Sequence, residues 1–343
     1  MQIKNMKKSD IENNEDLNSK FLSTEFEKII KKCKFYRGDF YLDSFNYFPI
    51  TNDNFCFLDL FSWKERSEYD HFFTKKFYSD FKKNKNNARV FKDVVVLGSS
   101  PGNNYFRNLL TFIPRILFVP VKEINIAIHR NSSNKLRKFL EQILKVQNIK
   151  IKKFVFLDDS FYKFENSLIP QFLPEKTCLN ILNKVFKKNQ KNKNKIYLTR
   201  KNANYRKIIN ESDLIDEFKS KNYQIVDLET LGIDKQIEIF SSAKIIVSPT
   251  SSSLANIAFC DVGTKVFEIM PKYKYSYENK LKSRYSSICH FLGLKHYALE
   301  ADPIKINKLD VVSEKYIAKK VINKSNYYKN LLVKKNDFKK FII

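Results

Sequence analysis

Hydrophobic and polar positions alternate along this chain in two blocks of the same kind. In the first, Val94-Val95-Val96-Leu97 is a continuous apolar run of the sort buried on both faces in a parallel sheet. It runs into the turn-formers Gly98 to Gly102. A helical stretch, Tyr105 to Phe118, follows with a kink expected at Pro114, and two more strands, Ile124–His129 and Ile149–Leu157, flank an amphipathic segment, Asn134–Lys145. The second block is cleaner. Strands are predicted at Ile196–Thr199, Tyr223–Leu228, Lys244–Val247 and Lys265–Ile269. Helices are predicted at Glu211–Lys221 (capped by Asn210 or Ser212), Asp234–Ala243 (capped by Asp234) and Ser252–Cys260. Short connections between four strands and three helices describe a doubly wound parallel sheet, so the fold class is α/β.

Between the blocks lies Lys187 to Lys195, nine residues with five lysines and no apolar side chain. Self-repulsion keeps such a run solvated and makes it a natural linker. The expected organisation is therefore an N-terminal α/β domain over 1–186, a basic linker over 187–195, a second domain over 196–300, and a tail over 301–343. That tail is expected to be helical and to pack back on the N-terminal domain. Residues 1–20 read as a polar lead-in, and 21–87 give no clear periodicity.

Composition narrows the function classes only partly. At 343 residues, with 43% hydrophobic and 15% aromatic residues, the chain has material for two packed cores and is not a disordered protein. Its formal charge of +26 attracts anions: nucleic acid, acidic lipid or phosphorylated substrates. A lysine- and asparagine-rich codon bias produces the same excess without any polyanion partner. Five dispersed cysteines without a CxxC pair point to free thiols, and with four scattered histidines they offer no metal-ligand spacing. The N-terminus has no apolar signal core, and no run reaches the ~18–20 residues of a membrane span, so a cytoplasmic location is expected.

In doubly wound sheets, ligands bind beyond the carboxyl ends of the strands. Three such ends carry suggestive residues. The strand ending at Thr199 is followed by Arg200, Asn204 and Arg206, and forked guanidinium groups match phosphate oxygens, although a solvated basic loop has the same composition. A second strand runs into Thr250-Ser251-Ser252-Ser253, four hydroxyl residues opening a helix, where simple capping needs only one. A third carries Glu268, suited to a ribose diol or to a structural salt bridge.

Put in order, these segments resemble the glycosyltransferase family 61 pattern, the domain of unknown function 563 group of capsular polysaccharide biosynthesis type. The residues that carry the resemblance are Tyr197-Leu198-Thr199-Arg200-Lys201, Arg206, Asn210-Glu211, Leu228-Glu229 and Gln236-Ile237. Pro249 to Asn256 and Glu268-Ile269 continue it. A weaker upstream match runs from Asn104 to Arg115 and includes Arg107. Thr250 and Ser251 stand where the family has His and Gly, and Arg107, Asn108 and Thr111 replace its His, Trp and Asp.

The resemblance implies a GT-B-like enzyme, two Rossmann-like domains with the active site in the cleft between them and no bound metal or cofactor. Such an enzyme would transfer a hexose or pentose from a UDP-sugar, with inversion, to a glycan or lipid-linked acceptor in surface polysaccharide synthesis. Donor-binding residues would be Arg200, Asn204, Arg206, Glu211, Thr250, Ser251, Ser252, Ser253, Asn256 and Glu268. Asn104, Arg107 and Arg115 would face the cleft from the N-terminal domain. Inversion needs a general base, for which Asp158, Asp159 and His129 occupy suitable strand ends; paired aspartates in a loop equally serve as turn or cap residues. The basic excess would hold the enzyme peripherally at the inner face of an anionic membrane, and no nucleic acid is expected as a partner. Two other classes stay open: a transferase-like nucleotide binder without turnover, and a basic nucleic-acid-binding protein.

Overall fold

A computed structural model of the protein describes residues 2–4, 35–43, 48–52, 55–57, 75–97, 104–119, 121–146, 148–158, 160–186, 193–305 and 325–341. The Gly98–Gly102 loop, Asp159, most of the lysine-rich linker and the first part of the tail lie outside these residues. The chain is mixed α/β and divides into two compact units, Met1–Ile181 and Leu182–Ile343. The dividing point falls within the helix Glu175–Phe186.

In the first unit, a short parallel pair joins β1 (Gln2–Lys4) and β4 (Phe55–Phe57). The main sheet holds β2 (Phe35–Asp43), β3 (Phe48–Thr51), β5 (Arg89–Lys92), β6 (Val94–Val96), β7 (Glu123–His129), β8 (Lys150–Leu157) and β9 (Phe161–Pro170). Its order is β3-β2-β9-β6-β7-β8, with β5 also pairing β9. The parallel run β6-β7-β8 is the predicted α/β block, and β9 joins it in parallel beside β6 and β5. All three residues of β6 are buried, as the continuous apolar run requires. Around Pro114 the helical stretch changes type, from one α-turn (Tyr105–Arg107) through a π-turn (Asn108–Phe112) to a 3-10 turn (Ile113–Phe118). Proline has no N–H for the ladder and clashes with the preceding turn, so the change of pitch falls where the sequence demands it.

The second unit is a six-stranded sheet: β10 (Asn194–Leu198), β11 (Tyr223–Val226), β12 (Ala243–Pro249), β13 (Lys265–Pro271), β14 (Lys295–Ile304) and β15 (Asn330–Leu332). The order β11-β10-β12-β13-β14-β15 has its first five strands parallel and the last antiparallel. That is the doubly wound order with one strand appended. Tyr197, Ile245, Val247, Phe267 and Ile269 form one core face with Leu214 and Phe218 of the helix Glu211–Ser220.

Three local expectations are corrected. Asn210 stands at the N-cap of that helix but makes no capping bond; its amide donates to Val333 O (2.8 Å) and accepts from Val333 N (3.2 Å). The next helix runs Ile233–Ser241 with Gly232 at its cap, so Asp234 lies inside the first turn, where a carboxylate still favours the dipole. The tail was expected on the N-terminal domain; its described part, 325–341, instead supplies β15 and a helix, Lys335–Phe341, to the second unit. Two forces hold it there. Phe338 is fully buried in the core described above, and β15 satisfies otherwise open backbone groups of the segment 206–209.

Candidate functional site

The carboxyl ends of β10, β12 and β13 gather most of the chemistry of the second unit. After β10 the chain is locked by Glu211, whose Oε1 accepts from Tyr197 Oη (2.6 Å) and whose Oε2 accepts from Thr199 Oγ1 (2.9 Å). The segment that follows is held from the other side by the tail. Arg206 N donates to Lys329 O (3.0 Å), Leu331 N to Lys207 O (2.8 Å) and Ile209 N to Leu331 O (2.9 Å). Between these anchors Arg206 takes a left-handed backbone, φ 58°, uncommon for a residue with a long side chain. Strain of this kind persists only where surrounding contacts over-determine it, and it gathers at ligand sites.

Arg206 is buried, 3% exposed, with its guanidinium 3.9 Å from the Tyr327 ring centre and 4.7 Å from that of Tyr205. Burial works against its charge, but the facing phenols of Tyr327 and Tyr205 outweigh burial and hold Arg206 protonated. Arg200 donates to Tyr205 O (3.0 Å); burial and the nearby Arg206 push its pKa down to about 10. A third cation, Arg284, opens the helix Arg284–Leu292 after β13 and is in electrostatic reach of Arg206. Neither Arg200 nor Arg206 forms an ion pair with a carboxylate among the described residues, and the Nε of each is buried without a partner. The phenol of Tyr327 lies between Arg206 and Arg284. Burial raises its pKa, but the two guanidinium groups prevail and bring it down to about 8.

Ser251 Oγ and Tyr273 Oη, after β12 and β13, are likewise buried and unpartnered. Thr250 is 2% exposed and donates its N–H to Ile269 O (2.8 Å). Ser251 O accepts from the Tyr285 hydroxyl. Ser252 and Ser253 are half-buried at the start of the 3-10 helix Ser252–Phe259. Asn204 is exposed on the loop. Glu268 sits within β13, fully buried; its Oε2 meets His296 Nε2 at 2.9 Å, and its Oε1 has no partner. An open cavity of about 590 Å³ lies on the same strand face, with Met270, Ser283, Ser286 and His296 among its lining. Asn256 is set back from this edge: its amide donates to Gln236 Oε1 (3.1 Å), and Gln236 in turn donates to Leu228 O and Leu231 O (both 3.0 Å). Buried amides linked in this way brace the loop after β11.

In the first unit, Asn104 caps the helical stretch, accepting from the N–H of the half-buried Arg107 (3.0 Å). Arg115 is fully buried, donates to Leu97 O (2.6 Å) and stacks 3.8 Å from the Phe172 ring centre, so it clamps the end of β6. His129, 2% exposed, accepts from Asn131 N–H through Nδ1 (3.2 Å). Asp158 accepts from Ser160 N–H (2.9 Å), Tyr162 Oη (2.6 Å) and Arg89 Nη1 (3.3 Å). The hydrogen bonds from Ser160 and Tyr162, with Arg89, hold its carboxyl well below the usual range, which makes it a weak proton acceptor.

Of the residues at this edge, local sequence pattern at the strand ends marks Arg200, Arg206, Thr250 and Ser251 but not Arg284, Tyr273 or Tyr327. For Arg284 a signal existed: an arginine in a first helical turn opposes the helix dipole and calls for an anion. Nothing local marks Tyr327.

No helix among the described residues is long and apolar enough to cross a membrane. The family model of glycosyltransferase 61 matches residues 69–267, more than half of the chain. No curated protein matches the chain. The segments from Asn104 to Gln236-Ile237 and Pro249 to Asn256 that carried the resemblance lie in order inside a match that runs from before β5 to within β13, with Glu268-Ile269 just beyond it, and the chain belongs to the glycosyltransferase 61 family.

Proposed function

We propose that this protein is an inverting glycosyltransferase of GT-B type that takes a UDP-sugar at the carboxyl edge of the second unit's sheet. The observation that carries the reading is the convergence of Arg200, Arg206 and Arg284, two of them without a carboxylate partner among the described residues. Cations gathered below the surface are costly unless an anion joins them. A diphosphate offers several oxygens to forked donors, and the same guanidinium groups stabilise the charge that develops as it departs. The unpartnered Ser251 hydroxyl and Tyr273 phenol add donors beside them, Thr250, Ser252, Ser253 and Asn204 border the edge, and Glu268 retains one open oxygen for a sugar or ribose hydroxyl. Positive charge for the leaving group thus comes from side chains, and the reaction is proposed to need no metal. The acceptor is proposed to be a glycan or lipid-linked saccharide of a surface polysaccharide, met at the inner face of the membrane.

Calorimetric titration with UDP, GDP and CMP tests the donor reading, with a salt series of DNA and RNA binding alongside. UDP should bind below millimolar concentration, and Arg200→Ala should weaken it by about 10- to 100-fold, the value of one charge-assisted interaction. Absence of nucleotide binding together with steeply salt-dependent nucleic-acid binding would sink the transferase assignment of the site.

A further inference from the structure

We infer that Tyr327, carried on a turn of the C-terminal tail, is a proton-linked counter-charge of the anion site: once ionised it holds Arg206 and Arg284, and it yields them, taking up a proton, when a diphosphate binds. The inference rests on reading the arginine cluster as an anion site.

The turn is built to hold its place. Residues Asn326–Tyr328 form a 3-10 turn capped by Ser325, whose Oγ accepts from Tyr327 N–H (3.2 Å). Ser325 and Asn326 are 1% and 0% exposed. The Ser325 hydroxyl donates to Glu278 Oε1, and Glu278 Oε2 accepts from Lys274 N–H (2.9 Å) and Tyr275 N–H (3.0 Å). Asn326 Nδ2 donates to Lys272 O (2.6 Å). The turn is therefore riveted to the loop after β13 by a buried carboxylate with every bond satisfied, an arrangement that fixes geometry. On its other side β15 is tied to the segment 206–209 that carries Arg206.

These anchors leave Tyr327 little freedom. Its ring lies against the Arg206 guanidinium, 3.9 Å from centre to Cζ, and edge-on to Tyr328 at 5.0 Å. The charged and titratable groups facing it are Arg206 and Arg284, with Arg200, Tyr205, Tyr273 and Tyr285 around them. No carboxylate enters into its balance ahead of the two guanidinium groups. Glu229 acts on Arg200, and Glu268 on Tyr273 and Tyr285, but among the described residues the Tyr327 phenolate is the anion hydrogen-bonded to Arg206 and Arg284, and it carries a single charge. A diphosphate carries more charge and more acceptor oxygens, so it displaces the phenolate from the guanidinium groups. Once those are neutralised, the phenolate faces like charge, and its oxygen takes a proton from solvent to become the phenol. Only that O–H bond forms.

The consequence is linkage between proton and nucleotide. Above about pH 8, where Tyr327 is ionised in the free protein, each bound diphosphate takes up close to one proton, and affinity falls about tenfold per pH unit. Between about pH 7 and 8, above the second ionisation of the terminal phosphate at about 6, the affinity is level.

The test uses the full chain, titrated between about pH 7 and 9.5 with phenolate absorbance as readout, in the wild type, Tyr327→Phe and Arg284→Gln, with and without UDP or inorganic pyrophosphate. Tyr327→Phe keeps the ring and its stacking. One of the 18 tyrosines should titrate early in the wild type, be missing in Tyr327→Phe, and shift toward ordinary values in Arg284→Gln. Saturating UDP or pyrophosphate should suppress it, and the pH slope of UDP affinity should vanish in Tyr327→Phe. An early phenolate that survives Tyr327→Phe or ignores Arg284→Gln overturns the inference, as does anion binding that leaves the phenolate unmoved. A phenolate suppressed by pyrophosphate in a protein that binds no UDP supports the counter-charge and removes the nucleotide-sugar reading instead.

Discussion

Both carboxylate oxygens of Glu211 are occupied by hydroxyl groups, of Tyr197 in β10 and of Thr199 just after it, and this occupation is what aims the arginine loop. Tyr197 is fully buried, so its phenol has no water to turn to if the acceptor is lost. Glu211→Ala is therefore expected to destabilise the fold by about 1–3 kcal/mol, read as a lowered urea midpoint at unchanged slope. A midpoint equal to that of the wild type would show that the pair contributes nothing. Glu268 is a different case at the same scale. The sequence allows it to be a ribose ligand or a salt-bridge partner; His296 Nε2 makes a hydrogen bond to one oxygen at 2.9 Å while the other stays open. Asp158 was a candidate base because it follows a strand; three donors surround it and hold it as a carboxylate.

At the scale of elements, the appended strand and helix of the tail matter most. β15 pairs with β14 through Asn330, Leu331 and Leu332; its Leu331 also receives the N–H of Ile209, and Lys329 just before it receives that of Arg206. A strand that satisfies both neighbours turns a loose strand-end loop into a fixed one. The helix behind it is pinned by Phe338, edge-on to Phe218 at 5.0 Å, while Phe218 stacks on Tyr197 at 4.1 Å. Phe338→Ala removes a fully buried ring from this stack and is expected to cost about 3–5 kcal/mol in equilibrium unfolding. A loss under about 1 kcal/mol would mean that the tail adds no packing to the second unit.

For the whole molecule, the open matter is the charge of +26. Three guanidinium groups account for a small part of it; most is lysine spread over surfaces. If that excess serves attachment, co-sedimentation with vesicles should rise with the fraction of anionic lipid and fall with added salt. Sedimentation indifferent to anionic lipid would leave the charge as a bias of composition. The match to the transferase family covers strands of both units, so both α/β blocks belong to the family's pattern.

Local patterning by itself determined the α/β class and the parallel strands of the second unit from β10 to β13. Runs such as Ile245–Val247 and Val266–Phe267 are too apolar to face water on either side, and only a sheet covered on both faces buries them. It also placed Arg200, Arg206 and the Thr250–Ser253 turn at strand ends, because a strand's direction settles which end points to a ligand. Other features depended on contacts between distant residues, and the tertiary structure alone decided them. The amide of Asn330 meets Lys207 across 123 positions, and that pairing brings Tyr327 to Arg206. Periodicity reports what a residue's neighbours in sequence bury, whereas a counter-charge is chosen by what else is buried beside it. Tyr327 carries no local mark of its role, since its role exists only where two guanidinium groups have already been drawn below the surface.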